Sequence, residues 1–65
     1  MSEVEKKRLG NRFKGARLVL KLSQTEVAEK CGISYKTYSD IERGVGNPSM
    51  DMLIKISKEL DINLF

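Results

Sequence analysis

Residues 22–43 read LSQTEVAEKCGISYKTYSDIER and predict two short helices joined by a tight turn. The first helix starts with the pattern of a capping box, in which the Ser23 hydroxyl and the Glu26 carboxylate accept from free backbone amides. Gly32 is placed to end that helix in the left-handed conformation, and Ser34 is a good N-cap for the next one. Because so little chain joins them, the two helices cannot lie antiparallel, and we expect them to cross at a large angle.

Helical spacing continues on both sides of this pair and predicts two more helices. The four expected helices cover about residues 5–21, 24–30, 35–43 and 48–60. The apolar residues at helical spacing are Leu9, Phe13, Ala16, Leu20, Val27, Ala28, Cys31, Tyr38, Ile41, Met50, Leu53, Ile56 and Leu60. Gly10 and Gly15 suggest close packing of the first helix, since glycine weakens a helix by about 1 kcal/mol relative to alanine. The fold expected is all-α, a compact bundle of four to five helices in one domain.

The composition leaves little room for catalysis. The chain has 65 residues and a mass of 7.4 kDa, is 40% hydrophobic and 32% charged, and contains no histidine and one cysteine, Cys31. These counts exclude a histidine general base, an internal disulfide and the usual zinc clusters. We therefore predict a protein that is not an enzyme and uses no cofactor. Residues 1–8 are charged and lack the apolar core of a signal peptide, which favours a cytoplasmic protein with no membrane partner.

Positive charge is concentrated at the start of the chain. Residues 1–22 contain seven lysines or arginines and two glutamates, whereas the whole chain has a net charge of +3. A basic segment on so small a domain indicates a polyanionic partner such as nucleic acid. On charge alone, an ordinary solvated helix face is an equally good interpretation.

The ordered series of these residues resembles the lambda-repressor-like (Cro/C1 or XRE-type) helix-turn-helix family from Leu9 to Phe65. The matching residues are Arg17, Leu22-Ser23-Gln24, Val27-Ala28, Cys31-Gly32-Ile33-Ser34, Ile41-Glu42-Arg43-Gly44 and Asn47-Pro48-Ser49. The resemblance implies one DNA-binding domain over residues 1–65, with the helix-turn-helix at about 24–43 and the third helix in the major groove. Tyr38 departs from the family's usual isoleucine or valine, so its ring either fills an enlarged core or points outwards.

By resemblance, the third helix and its N-cap supply the contacts to base edges. The predicted base-contacting residues are Ser34, Tyr35, Lys36, Ser39 and Asp40. Lys36 is suited to donate to guanine O6 and N7, and Tyr35 to contact a thymine methyl group or a phosphate. Asp40 either accepts from cytosine N4 or pairs with Lys36 four residues earlier, and we favour the pair.

The phosphate contacts are expected at the ends of the helices. The predicted residues are Arg17, Ser23, Gln24, Arg43 and Asn47, with Gln24 at the start of the second helix as the backbone clamp. Arg17 and Glu42 match a pair that forms a salt bridge in relatives. This pair fixes the angle of the third helix, directs the guanidinium towards phosphate, or does both.

Relatives bind pseudo-palindromic operators as symmetric dimers, with half-sites about 34 Å apart, and a homodimer is therefore expected here. The predicted dimer contacts are Val45, Met50, Ile62, Leu64 and Phe65. As an alternative, the apolar tail folds back over the core.

The function implied by the resemblance is regulation of transcription at a double-stranded DNA operator. Repression is the simplest mechanism, and activation through RNA polymerase is open because Glu26 and Glu29 form an acidic patch on the second helix. The alternative function is a protein-interaction module of the same fold that does not bind DNA, for example an antitoxin-like partner. Asp40 and Glu42 near the third helix favour that alternative.

Overall fold

The computed structural model describes residues 1–64, which form four helices and no strand. The helices are α1 (Glu3–Val19), α2 (Gln24–Cys31), α3 (Tyr35–Arg43) and α4 (Met50–Glu59). α1 packs on α3, α3 packs on α2, and α2 packs on α4. The predicted all-α helix-turn-helix bundle is confirmed, and over the described residues it has four helices rather than five.

α1 begins and ends two residues earlier than predicted. Its start is a capping box whose Ser2-x-x-Glu5 signal the prediction did not use, in which Ser2 Oγ accepts from the Glu5 amide at 3.1 Å and Glu5 Oε1 accepts from the Ser2 amide at 2.9 Å. The helix ends at Val19 because Lys21 adopts a left-handed φ of 58°, which turns the chain towards α2. Leu20 is consequently 44% exposed, and the prediction that it shares the inner face was wrong.

The bounds of α2 and α3 follow their local signals. The predicted capping box is confirmed, since Ser23 Oγ accepts from the Glu26 amide at 3.0 Å and Glu26 Oε1 from the Ser23 amide at 2.9 Å. Gly32 ends α2 at φ 68° and Gly44 ends α3 at φ 76°. α3 has the predicted bounds and α2 is one residue longer. α4 starts later than predicted, because Ser49 is its N-cap.

The hydrophobic core brings the inner faces of all four helices together. Its buried residues are Phe13, Val27, Ala28, Cys31, Tyr38, Ile41, Leu53, Ile56 and Leu60. The Tyr38 ring is fully buried, so the enlarged core accounts for this departure from the family pattern. Cys31 is 1% exposed and fills the core as a small hydrophobic residue.

Gly10 allows α1 to pack directly on the backbone of α3. A Cβ atom at Gly10 would lie 2.4 Å from the Glu42 carbonyl oxygen and 2.6 Å from that of Ile41. The close packing suggested by the sequence is therefore present at Gly10. At Gly15 the suggestion was wrong, because an added Cβ would meet nothing within 4 Å among the residues that the structure describes.

The chain after α4 folds back over the bundle. Ile62 and Leu64 pack against the core, and the Arg12 guanidinium donates to the carbonyl oxygens of Asn63 and Leu64. The described part of the tail thus follows the fold-back alternative, while Phe65 lies outside the described residues. Each helix within residues 1–64 is too short or too polar to pass through a membrane.

Candidate nucleic-acid interface

The outer side of α3 presents a continuous polar surface. Tyr38 and Ile41 hold the opposite side of the helix in the core, because residues three apart lie on one helical face. The residues on the outer side are Ser34, Tyr35, Lys36, Ser39 and Asp40, of which the first three are exposed and the last two half-buried. The structure thus brings the five predicted base-contacting residues together. All five carry hydrogen-bonding groups, which reading base edges requires.

The Asp40 carboxylate lies between two basic side chains of α3. Lys36 Nζ is 3.1 Å from Asp40 Oδ2, and Arg43 Nη1 is 3.7 Å from Asp40 Oδ1. The favoured helical pair of Lys36 and Asp40 is therefore present. Because exposed ion pairs contribute little to stability, Lys36 can exchange Asp40 for an acceptor on a ligand at small cost.

The N-terminus of α2 offers backbone donors beside this surface. The first four amides of a helix have no partner within it. The capping box satisfies the amides of Ser23 and Glu26, which leaves those of Gln24 and Thr25 for acceptors outside the helix. Hydrogen bonds from the backbone and side chain of Ser23 lower the pKa of the Glu26 carboxyl. The partial positive charge of this helix end favours an anion such as phosphate.

A buried ion pair joins α1 to the last turn of α3. Arg17 Nε donates to Glu42 Oε2 at 2.6 Å and Arg17 Nη2 donates to Glu42 Oε1 at 3.2 Å, so the contact is bidentate. Arg17 Nη1 donates to the Leu22 carbonyl oxygen at 2.9 Å, and Gln24 Nε2 donates to Glu42 Oε1 at 3.0 Å. The predicted salt bridge between Arg17 and Glu42 is present. It fixes α3 against α1 and also orients the Gln24 side chain.

The surroundings keep both members of this pair charged. Burial raises the pKa of the Glu42 carboxyl, but the hydrogen bonds from Arg17 and Gln24 outweigh it and lower the pKa below its ordinary value. The hydrogen bonds to Glu42 in turn raise the pKa of the Arg17 guanidinium. Since the Glu42 charge is buried and neutralised, it presents little repulsion to an anion at the surface nearby.

A polar cleft of about 500 Å³ opens beside the ion pair. The lining residues are Lys7, Asn11, Lys14, Arg17, Gln24, Glu42 and Arg43. Four of them are basic, and the one acidic residue is already paired. The cleft therefore contains three of the predicted phosphate-contacting residues in a positively charged setting. Sequence reasoning did not single out Lys7, Asn11 or Lys14, although their spacing of four and three residues on a helix was a usable signal.

The loop after α3 is tied to α1 by Lys6. Lys6 Nζ donates to the Gly46 carbonyl oxygen at 2.8 Å and to Asn47 Oδ1 at 2.7 Å. Gly44 lies directly beneath α1, because a Cβ there would be 2.7 Å from Lys7 Cγ. With its oxygen turned to Lys6, exposed Asn47 has its amide nitrogen available for another acceptor. The contacts of Lys6 were not predicted, because Gly46 and Asn47 follow it by 40 and 41 positions and no local sequence pattern indicates so distant a contact.

The predicted dimer contacts differ in how far they are exposed to solvent. Val45 is 40% exposed and Met50 is 49% exposed, whereas Ile62 and Leu64 are half-buried against the core. Among the described residues, the accessible part of the predicted dimer surface therefore consists of Val45 and Met50, and Phe65 lies outside them.

Comparison with known proteins gives two matches. A family model described as helix-turn-helix matches residues 14–65. The chain is also 36% identical over 59 residues to the cryptic phage CTXphi transcriptional repressor RstR of Vibrio cholerae serotype O1. That alignment covers 91% of this chain and 49% of the relative, so the chain spans about half the length of the curated protein that it matches.

Proposed function

The chain belongs to the lambda-repressor-like (Cro/C1 or XRE-type) helix-turn-helix family, and from this premise we propose that it is a non-enzymatic, DNA-binding regulator of transcription. The observation that carries the proposal is the accessible polar face of α3, which stands beside the open N-terminus of α2 and the basic cleft. An accessible α3 surface flanked by phosphate-binding groups on a neighbouring helix suits docking in a major groove. Such a protein acts where the DNA is, and we place it in the cytoplasm.

In the proposed complex, α3 lies in the major groove and its outer side chains read base edges. Lys36 donates to guanine O6 and N7, after leaving its partner Asp40. Tyr35, which is 54% exposed, contacts a thymine methyl group or a phosphate. Ser39 supplies a hydroxyl group that donates and accepts, whereas the Ser34 hydroxyl caps α3 and must exchange its bond to Thr37 Oγ1 for one to a base. Asp40 acts chiefly by orienting Lys36, because its carboxylate lies within 4 Å of two cations.

The DNA backbone is held on both sides of the recognition helix. One phosphate is bound at the start of α2 by the free amides of Gln24 and Thr25, by the Ser23 hydroxyl and by the second N–H of the Gln24 side chain. Arg43 and the amide nitrogen of Asn47 bind phosphates further along the strand. Arg17 contributes mainly by fixing α3, since three of its five N–H groups are used inside the protein, and its remaining N–H groups face the cleft.

The proposed operator is pseudo-palindromic and is bound by a homodimer. Two identical domains on a two-fold axis read two half-sites about one helical turn apart. Val45 and Met50 are the accessible residues through which the copies meet. The relative's description as a transcriptional repressor supports repression as the outcome. Exposed Glu29 is the acidic residue best placed for an RNA polymerase contact, because the Glu26 carboxylate is used in the capping box.

The charge pairing on α3 favours DNA binding over a protein-interaction module that does not bind DNA. That alternative drew on acidic residues near α3, but Glu42 is buried in its pair with Arg17, and Asp40 is flanked by Lys36 and Arg43. No acidic surface on α3 is therefore left to recruit a basic partner.

Selection of bound fragments from a random duplex pool tests the proposed function. The expected product is an inverted repeat with half-sites one helical turn apart. Affinity for the selected duplex should fall steeply with salt, because phosphate binding releases counterions. Undetectable binding to any duplex, even at low salt, would contradict the proposal and leave a protein partner as the better explanation.

The Lys36→Ala variant tests the orientation of α3. Without its guanine partner, the variant should change the preferred base at one position of each half-site and cost about 1–3 kcal/mol on the selected site. Lys30→Ala is the matched control, because Lys30 is an exposed lysine at the end of α2 that lies outside the proposed interface. Equal weakening of all sequences by both variants would argue against base reading by Lys36.

A further inference from the structure

We infer that α1 adds its own contact to the DNA backbone, through a row formed by Lys7, Asn11 and Lys14. The inference rests on the proposed function and extends it to three residues of the basic first segment to which the sequence pattern assigns no individual role. Lys7 and Asn11 precede the residues that the helix-turn-helix family model matches, which begin at residue 14. The partner is the phosphate chain of the same operator.

The row lies on one face of α1, because residues four and seven apart share a helical face. Lys7, Asn11 and Lys14 all line the 500 Å³ cleft that also contains Gln24 and Arg43. A phosphate chain seated at the start of α2 and at the end of α3 therefore passes in front of the row.

The charge of the row is available to a ligand. Over residues 1–64, no salt bridge includes Lys7 or Lys14, and both side chains are exposed. Glu42 is the one carboxylate that lines the cleft, and Arg17 and Gln24 already occupy it. The cleft thus has an excess of positive charge without a partner in the described part of the protein. Asn11 adds an amide that donates two hydrogen bonds.

The position of the row is fixed relative to α3. Gly10 lies between the first and second members of the row and packs on the backbone carbonyls of Ile41 and Glu42. The backbone and side chain of Lys7 cover Gly44, just after the end of α3. Because α1 cannot rotate or slide without breaking these contacts, the row keeps its distance from the recognition helix. Rigid placement of this kind lowers the entropy that binding must offset.

The experiment measures duplex affinity as a function of salt for the wild type and for the Lys7→Gln/Lys14→Gln double variant. The slope of log affinity against log salt is negative and should become shallower by about 0.9 for each phosphate that the protein no longer neutralises, about 1.8 for the double variant. Affinity should fall equally for the selected operator and for unrelated duplexes, because phosphate contacts do not read sequence.

Lys55→Gln/Lys58→Gln is the matched control, since it removes the same charge from exposed positions of α4 that do not line the cleft. Its slope should stay close to that of the wild type. As a second variant, Asn11→Asp places a negative charge in the row and should weaken binding more than Asn63→Asp does. All these residues are exposed, and thermal unfolding followed by circular dichroism checks that each variant folds.

The outcomes separate this inference from the proposed function. A wild type that binds no duplex would overturn both. A wild type that binds duplex, with a double variant whose salt slope matches that of the control, would overturn the α1 contact alone. A reduced slope limited to the selected operator would also overturn it, because it would indicate base reading in place of backbone contact.

Discussion

Among single residues, Tyr38 stands out as a polar group in a hydrophobic core. Its side chain is fully buried, and its hydroxyl lies close to Glu42 and Arg17 without meeting hydrogen-bond geometry with any described residue. Burial raises the pKa of this hydroxyl, with the neighbouring Glu42 carboxylate as a further cause, so the group stays neutral. A buried hydroxyl without a partner costs about 1–3 kcal/mol. The ring, in contrast, is the largest fully buried side chain of the core.

We therefore expect Tyr38→Phe to stabilise the protein, because it keeps the ring and removes the unpaired hydroxyl. The free energy of unfolding should rise by about 1 kcal/mol in urea denaturation. Tyr35→Phe is the control, since Tyr35 is exposed on α3 and its change should leave stability unaltered. A loss of stability in Tyr38→Phe would show that the hydroxyl makes a hydrogen bond in solution.

The Arg17–Glu42 pair leads to a prediction of pH dependence. The pKa of Glu42 is lower in the folded protein than its ordinary value, so the unfolded chain takes up a proton first as pH falls. The pair's contribution to stability is therefore complete above the unfolded pKa of about 4.5 and is lost as pH falls through the lower folded value. Glu5 and Glu26 act in the same direction, through their hydrogen bonds with Ser2 and Ser23.

Glu42→Gln separates the contribution of the Arg17–Glu42 pair to this pH dependence from those of Glu5 and Glu26. At neutral pH it leaves buried Arg17 without a counter-charge and should cost about 3 kcal/mol. The difference from wild type should shrink in acid, where Glu42 itself becomes protonated, and urea unfolding at a series of pH values measures it. If the single variant fails to fold, the Arg17→Met/Glu42→Met variant provides the comparison, because an apolar pair leaves no unpaired charge. If the difference in unfolding free energy between the variant and the wild type is the same at every pH, the pH dependence does not come from Glu42.

At the scale of elements, contacts from α1 hold the loop that follows α3. The Lys6 ammonium group bonds both to a loop carbonyl and to the Asn47 side chain, while Gly44 packs under α1. The loop has no helix or strand of its own between Gly44 and Met50. The contacts from α1 are therefore the main restraint on the position of Asn47.

Lys6→Met should loosen this loop without unfolding the domain. The two hydrogen bonds are partly exposed to solvent, so the decrease in global stability should stay within about 1 kcal/mol. Amide hydrogen exchange of Val45, whose amide donates to the Asp40 carbonyl oxygen at 2.9 Å, should become faster, while exchange in α2 stays unchanged. Lys55→Met serves as the control for removal of a surface lysine. Unchanged exchange in the loop would mean that packing at Gly44 suffices to hold it.

The elements also show which features the sequence could predict. α3 was predicted with its observed bounds because both ends carry local signals, Ser34 at the start and Gly44 at the end. The end of α1 was misplaced because no glycine marks it, and Lys21 takes the left-handed conformation instead. The polar face of α3 followed from helical spacing. The cleft did not, because its lining comes from three helices that are separate in sequence.

At the scale of the whole molecule, six of the twelve lysines and arginines gather around the proposed interface. The cleft contains four basic residues, and Lys6 and Lys36 lie at the adjoining loop and on α3. One domain of this size makes few phosphate contacts, so a single half-site is expected to be bound weakly. Joining two domains makes the second binding event intramolecular and raises affinity by roughly 10²–10⁴ when the spacing fits.

Met50, the first residue of α4, is 49% exposed and is therefore available to join two copies. Met50→Asp should fold normally, because an acidic residue in the first turn of a helix is favourable. In a symmetric dimer it places two like charges at an apolar contact that each copy contributes to. Affinity for the inverted repeat should therefore fall by at least about tenfold, while affinity for a single half-site changes little.

Val19→Asp is the control, since Val19 is 79% exposed and was not predicted to contact a second copy. It introduces the same charge, so any general repulsion of DNA by the added carboxylate affects both variants. Gel-shift titrations with whole and half operators give the affinities, and sedimentation of the DNA complex gives the number of protein copies bound. If both variants weaken whole and half operators equally, Met50 is not in the dimer contact, and the two copies must meet elsewhere.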